Sequence, residues 1–600
     1  MKCIASQLSY QVDFTRYNEH LVDVTLCFYP VCNQHKLWLP TWIAGSYLLR
    51  EFSKNITKVS YTQNHVSKTT EKISKNQWEL TDLIQNTMVT IHYEVYCRDL
   101  SVRTAFVDNQ RIFGNFTSLL LMVKGLENNL ADISLFVPEN FCQNHPNLQI
   151  ATGLGYQKQD VLEGVMIKFL PICAFESYDY PFEIGTQTFF DFYTTSSKGD
   201  ILHRFFVAGR HDADLSRLKN DVRKICQTYI NWLGDTPFVD YTFMTMVTRS
   251  DYGGLEHINS TALISSRDDL PSVFEPDEPN ENYQRFLGLC SHEYFHAWWV
   301  KTVRPDVMMD NDLQTEAYTP LLWVFEGFTS YLDDLMLLAS GVISKQAYFE
   351  LILNQINRYL QTDGRHHQSV AESSFDAWIK LYRADENTAN QGVSYYNKGA
   401  LVALCLDLIL LQKTNGKHRL FDVVKTFYQK AKQMPNQRFA MTNDNLSAVV
   451  SEFLGHEAWQ MFYCQYVIGL DELPIEILLT EFGFSTQTRQ KNTPWGIKAD
   501  DGINGLKIKH LYRNSAASSA GLSVDDVIVA VNQIKANYQE LAKVNIKQTY
   551  TNQPVKVHAF RRDELLEFTL MPDKNTHHKQ LTFEHYQEKG WLMFGKWITD

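Results

Sequence analysis

The spacing of hydrophobic positions changes twice along the chain. In the first 185 residues they recur at every second position, as in Val22, Val24, Leu26 and Phe28, and again in Val89, Ile91, Tyr93 and Val95. A period of two sends alternate side chains to opposite faces and predicts half-buried strands. Turn-rich pieces such as Asn144-His145-Pro146 separate further short candidates, so an antiparallel β domain is expected over residues 1–185. Near residue 210 the spacing becomes three and four: Leu215, Leu218, Val222, Ile225 and Tyr229 predict an amphipathic helix. Gly234-Asp235-Thr236-Pro237 ends it. Residues 241–248 and 259–264 read as strands, and residues 280–470 are mostly helical in pattern, with helices expected over 321–338, 348–360 and 399–411. Strands followed by helices predict an α+β unit over residues 186–475. Short strands return in a third domain over 485–575, and residues 576–600 form a tail whose aromatics suit packing.

Length agrees with this partition, since 600 residues exceed what one core can organise and roughly three to four domains is the usual number. The chain is 44% hydrophobic and 21% charged, an ordinary globular composition. Its formal net charge of −12 argues against nucleic acid as a partner. The ten cysteines form no C-x-x-C pair and read as free thiols of a reducing compartment. No signal peptide is visible, and the most apolar long stretch, 399–411, is interrupted by Asp407 and too short to span a bilayer. A soluble, cytoplasmic protein without membrane partners is the expectation.

The chemistry concentrates at residues 290–299, which contain His292-Glu293-Tyr294-Phe295-His296. On a helix, positions four apart lie about 40° apart around the axis, so both imidazoles can reach one ion. Glu293 points beside that face, where a general base for zinc-assisted hydrolysis belongs. Cys290, two residues before His292, points away and reads as packing. A catalytic zinc needs a third protein ligand. Glu326 sits inside an apolar helical pattern, where a carboxylate needs a partner, and it is preferred to Glu316, which lies in a more polar segment. Glu256 follows Gly253 and Gly254, and it reads either as a surface turn or as a carboxylate at a strand edge, placed to hold a substrate's ammonium group. Tyr395 and Tyr396 open the helix over 399–411; either hydroxyl could serve an oxyanion, and either ring could be plain core in a chain with 30 tyrosines. The Gly-Ser-Tyr-Leu-Leu-Arg stretch at 45–50 shows no metal-binding logic and reads as a loop and strand that pack aromatics.

Taken together, His292 to His296, Glu-Gly-Phe-Thr-Ser-Tyr at 326–331, Gly-Gly-Leu-Glu-His at 253–257 and Tyr-Asn-Lys-Gly at 396–399 resemble the glycyl aminopeptidase family of zinc metallopeptidases. More broadly they resemble gluzincins of the aminopeptidase N type. The segment at 45–50 shares in the resemblance. So do Gly505-Leu506-Lys507-Ile508, the small-residue run at 514–522 and the strand pattern at 526–532, which resemble a PDZ domain. Asp525 and Gln533 stand where PDZ domains usually have glycine. The resemblance implies an α+β multidomain chain: an N-terminal β domain, a thermolysin-like, mostly helical catalytic domain and a C-terminal PDZ-like domain. It implies one zinc ion on His292, His296 and Glu326, with Glu293 as base. It further implies Glu256, on the Gly253-Gly254 strand, as the binder of the α-amino group, and Tyr396 rather than Tyr395 as oxyanion donor. His257 replaces the asparagine of aminopeptidase N, and 29 residues stand between His296 and Glu326, a longer spacing than in that group.

The expected activity is removal of the N-terminal residue, glycine or alanine by family preference, from peptides with a free N-terminus. Two other readings stand beside it. One is an endopeptidase whose PDZ domain captures protein C-termini, with Trp495-Gly496-Ile497 as candidate carboxylate-binding loop. The other is a non-catalytic metal-binding scaffold.

Overall fold

The two period-two stretches pair with each other. Leu21–Phe28 and Val89–Tyr96 run antiparallel with Val22 opposite Val95, Val24 opposite Tyr93 and Leu26 opposite Ile91. All these side chains are buried. The structure, a computed structural model, describes residues 8–492, 494–571 and 577–587. They divide into two compact units: the residues up to Ala317, Leu332–Ser344 and Val424–Met441 form the first, and Tyr318–Tyr331, Lys345–Val423 and the residues from Thr442 onward the second.

In the first unit the paired strands lie inside a nine-stranded sheet that is antiparallel except where Leu8–Asp13 runs parallel to Leu130–Pro138. A second, eight-stranded sheet carries Gly253–Glu256 at its edge. Its long member Phe182–Ser196 passes straight through the expected domain boundary at 185. Up to Gly185 that strand pairs with Arg111–Gly114, and from Gln187 it pairs with Gly199–Ala208. Near residue 185 the strand therefore changes partner without a break, which leaves no linker for a sequence to reveal. Helix Leu215–Leu233 then crosses to Asp240–Thr248, which lies parallel to Gly199–Ala208. Asp214 caps that helix by accepting from the Ser216 and Arg217 amides, and Gly234 ends it in the left-handed region. Beyond Asp240–Thr248 come Ser260–Ser266 and, outermost, Gly253–Glu256.

The second unit holds the helices Lys345–Leu360, Asn397–Lys413, Asn443–Leu454 and Ile475–Glu481. A π-helical turn, Trp323–Gly327, runs directly into Phe328–Ala339, whose later residues belong to the first unit. Toward the C-terminus a six-stranded sheet with Ile497–Gly502 as an outer strand is closed by helix Tyr538–Thr551. Asp525 and Gln533 both adopt positive φ, +69° and +67°, so the glycine-like turns of a PDZ domain are kept without glycine. Trp495 is fully buried in that domain's core and donates through Nε1 to Gln548 Oε1 at 2.8 Å. Of the expected tail, His577–Tyr586 is a strand antiparallel to Phe484–Asn492, and residues 588–600 lie outside the described ones. The described cysteines are free thiols, and no helix among the described residues is long and apolar enough to cross a membrane.

Candidate active site

Asn280 starts the histidine helix, Glu281–Phe295, by accepting from the Tyr283 amide. The helix is buried along most of its length, including Phe286, Leu287 and Tyr294, so its polar side chains are fixed by packing. Cys290 faces the core, where burial pushes its thiol well up from the ordinary value. His292 lies in the last turn and His296 at the C-terminal cap. Their ring centroids are 4.7 Å apart and their planes nearly perpendicular. His292 Nδ1 meets Asp333 Oδ2 at 2.9 Å, and His296 Nδ1 meets the Trp299 carbonyl at 3.2 Å. With Nδ1 of each ring engaged by an acceptor, Nε2 is the nitrogen each ring offers as a lone-pair donor.

Two carboxylates stand beside this pair. One ligand atom each from Glu256, Glu293 and His296 lie within 4.8 Å of one another, and all three residues are buried. Glycine makes the crowding possible. A Cβ on Gly254 would come 2.2 Å from Glu293 Oε1, and a Cβ on Gly45 would come 2.4 Å from both oxygens of Glu256. Gly45, at φ +91°, also holds a backbone conformation that suits glycine. The segment at 45–50 is thus a wall of the Glu256 site as well as a packing loop, which sequence reasoning missed. Glu256 is 3% exposed and its Oε1 has no hydrogen-bond partner among the described residues. It closes an edge strand, not a surface turn.

Neighbours far away in sequence complete the setting. Arg103 donates from Nη2 to the Gly254 carbonyl at 3.2 Å. Asp179 Oδ1 meets His257 Nδ1 at 3.2 Å and accepts from Lys301 Nζ at 2.8 Å. Burial opposes the charge on Asp179, but Lys301 and His257 outweigh it and hold its carboxyl well below the usual range. Burial lowers His257 from its ordinary value, and Asp179 works against that shift. Of these partners only Asp333 left a usable trace in sequence: it follows Glu326 by seven residues, about two turns of one continuous helix.

In the second unit Glu326 is buried on the π-helical turn, whereas Glu316, in the first, is half-buried. Gly327 packs against Gly399, since a Cβ on Gly327 would lie 2.6 Å from the Gly399 Cα, and so the Glu326 segment crosses the head of helix Asn397–Lys413. Tyr395 and Tyr396 stack at that head with centroids 4.7 Å apart. Tyr395 is fully buried. Tyr396 is partly exposed, and its hydroxyl lies 3.2 Å from that of Tyr382.

Residues 285–402 match the family described as M61 glycyl aminopeptidase, residues 9–186 match the peptidase M61 N-terminal domain, and residues 480–559 match the PDZ domain. Among solved structures, an aminopeptidase N family protein from Idiomarina loihiensis shares 34% identity over 99% of this chain and 100% of its own, with a TM-score of 0.89. An M1 zinc metallopeptidase from Deinococcus radiodurans is 14% identical over 78% of this chain and 94% of its own, with a TM-score of 0.49. No curated protein sequence matches.

Proposed function

Because the chain belongs to the M61 glycyl aminopeptidase family and is a peptidase, we propose that it removes single N-terminal residues from peptides with the help of one zinc ion. The observation that carries the exopeptidase reading is Glu256. A buried carboxylate oxygen without a hydrogen-bond donor is costly. A substrate α-ammonium supplies the charge and the donors it lacks, and it also fixes the peptide at its first residue. The edge strand Gly253–Glu256, with no side chain on Gly253 or Gly254, is suited to hold the substrate main chain by strand addition.

His292, His296 and Glu326 are the proposed zinc ligands. Two imidazoles anchored through Nδ1 and one carboxylate are a donor set that a catalytic zinc takes while keeping an open position. Bound there, zinc would acidify a water and polarise the first peptide carbonyl. Glu293, held beside His296 by the room that Gly254 leaves, accepts the water's proton and passes it to the leaving amine. The Tyr396 hydroxyl donates to the oxygen that gains negative charge, a role its partial exposure favours over buried Tyr395. Family membership also carries the expectation that glycine and alanine are accepted as N-terminal residues.

The test is zinc content together with release of N-terminal residues by wild type and Glu293→Gln. Loss of the base should lower kcat about 10³-fold with zinc content unchanged. Equal rates would reject the mechanism.

A further inference from the structure

A cavity of about 170 Å³ opens in the first unit beside the Glu256 site. Gly45, whose backbone lies against the Glu256 carboxylate, and Ile258, two residues beyond Glu256, both line it. Trp42, Phe175 and Tyr178 form an apolar wall, and Lys301, Arg304 and Arg438 bring positive charge. An engineered cavity of about 150 Å³ holds a benzene ring, so this volume exceeds what glycine or alanine fills.

The cations are not equivalent. Lys301 is neutralised by Asp179 at 2.8 Å. Strands Val303–Pro305 and Phe439–Met441 pair in parallel, Val303 opposite Phe439, and bring Arg304 and Arg438 to one side. Neither guanidinium forms an ion pair with a carboxylate among the described residues. Arg304 donates from Nη2 to the Lys301 carbonyl at 2.7 Å, while its Nε is buried without a partner. Burial, and then the charge of Arg438, bring Arg304 down to about 10, so it stays charged at neutral pH. The other acid on the lining, Glu176, is exposed. Asp179 and Glu256 favour the charge of Arg304 from a distance, but two guanidiniums without an ion-pair contact in a pocket with apolar walls cost free energy that a carboxylate would recover.

We infer that this cavity is a side-chain subsite for N-terminal aspartate or glutamate: Arg304 and Arg438 take the side-chain carboxylate of the residue whose α-ammonium is held by Glu256. The inference rests on the aminopeptidase reading above. It adds acidic residues to the substrate range, because glycine and alanine leave the cavity empty while a neutral side chain of the same length leaves both guanidiniums unpaired.

The experiment compares kcat/KM of the zinc-loaded full chain on Glu-Ala-Ala, Gln-Ala-Ala and Ala-Ala-Ala. Wild type should favour Glu over its isostere Gln at least tenfold, and Arg438→Gln and Arg304→Gln should each bring that ratio toward one. If Arg304→Gln does not fold, the wild-type ratio and Arg438→Gln decide. In Glu293→Gln protein, calorimetry should show L-glutamate binding at least tenfold more tightly than L-glutamine. A wild-type ratio of one or less, or a ratio that both arginine variants leave unchanged, would overturn the subsite. Release of alanine without preference for glutamate defeats the subsite alone. Cleavage that never begins at the N-terminal residue defeats the aminopeptidase reading, and the subsite with it.

Discussion

The Glu256–Glu293 cradle and two turns of the PDZ domain treat glycine in opposite ways. In the cradle, Gly45 and Gly254 occur where any side chain would run into a carboxylate oxygen. In the PDZ domain, Asp525 and Gln533 occupy left-handed backbone where glycine would be at ease. Elsewhere the PDZ domain does keep glycine, as at Gly505, where a Cβ would come 2.3 Å from the Ile528 carbonyl oxygen, so these two turns are the exception. The contrast follows from what each position must do. A turn tolerates a strained residue at a cost of about 1–2 kcal/mol and the sheet still forms. A carboxylate that must stand within reach of a second carboxylate and an imidazole tolerates no added atom.

That contrast can be broken from its strongest side first. Gly254 lies outside the left-handed region, so Gly254→Ala should fold, but its Cβ displaces Glu293. Its kcat/KM should fall by about 10²–10³, most of the value of a positioned base, with a wild-type melting curve. Full activity would show that the glycine is dispensable. Next is Gly45→Ala, which meets Glu256 and strains a φ of +91°. KM for free-amine peptides should rise about tenfold, as expected for the loss of about 1.4 kcal/mol of binding, and stability should fall by about 1 kcal/mol. The smallest effect is Gln533→Gly. Relief of the strained φ, offset by glycine's greater freedom when unfolded, should leave urea stability unchanged or raised by up to about 1 kcal/mol. A clear loss would mean that the Gln533 side chain contributes something its turn geometry does not reveal.

The sequence exposed the parts of this molecule that repeat a short-range rule. Val22 to Phe28 and Val89 to Val95 announced strands because one face of each is buried, and Leu215 to Tyr229 announced a helix because one stripe is. His292, Glu293 and His296 were legible because helix geometry alone brings them together. What stayed hidden depends on tertiary approach. Gly45 reaches Glu256, and Arg103 reaches Gly254, from strands and loops more than a hundred residues away. No local pattern could announce Asp179 and Lys301 either, because each is an ordinary charged residue until the other is beside it. Near residue 185 one extended strand passes from one set of partners to the next, so the chain itself carries no break there.

The central claim is that Glu256 makes this peptidase read a free N-terminus. The most direct test measures cleavage of one peptide and its N-acetylated twin by the zinc-loaded wild type. The free peptide should lose its first residue and the acetylated one should remain intact. Cleavage of both at similar rates, at any bond, would contradict the account.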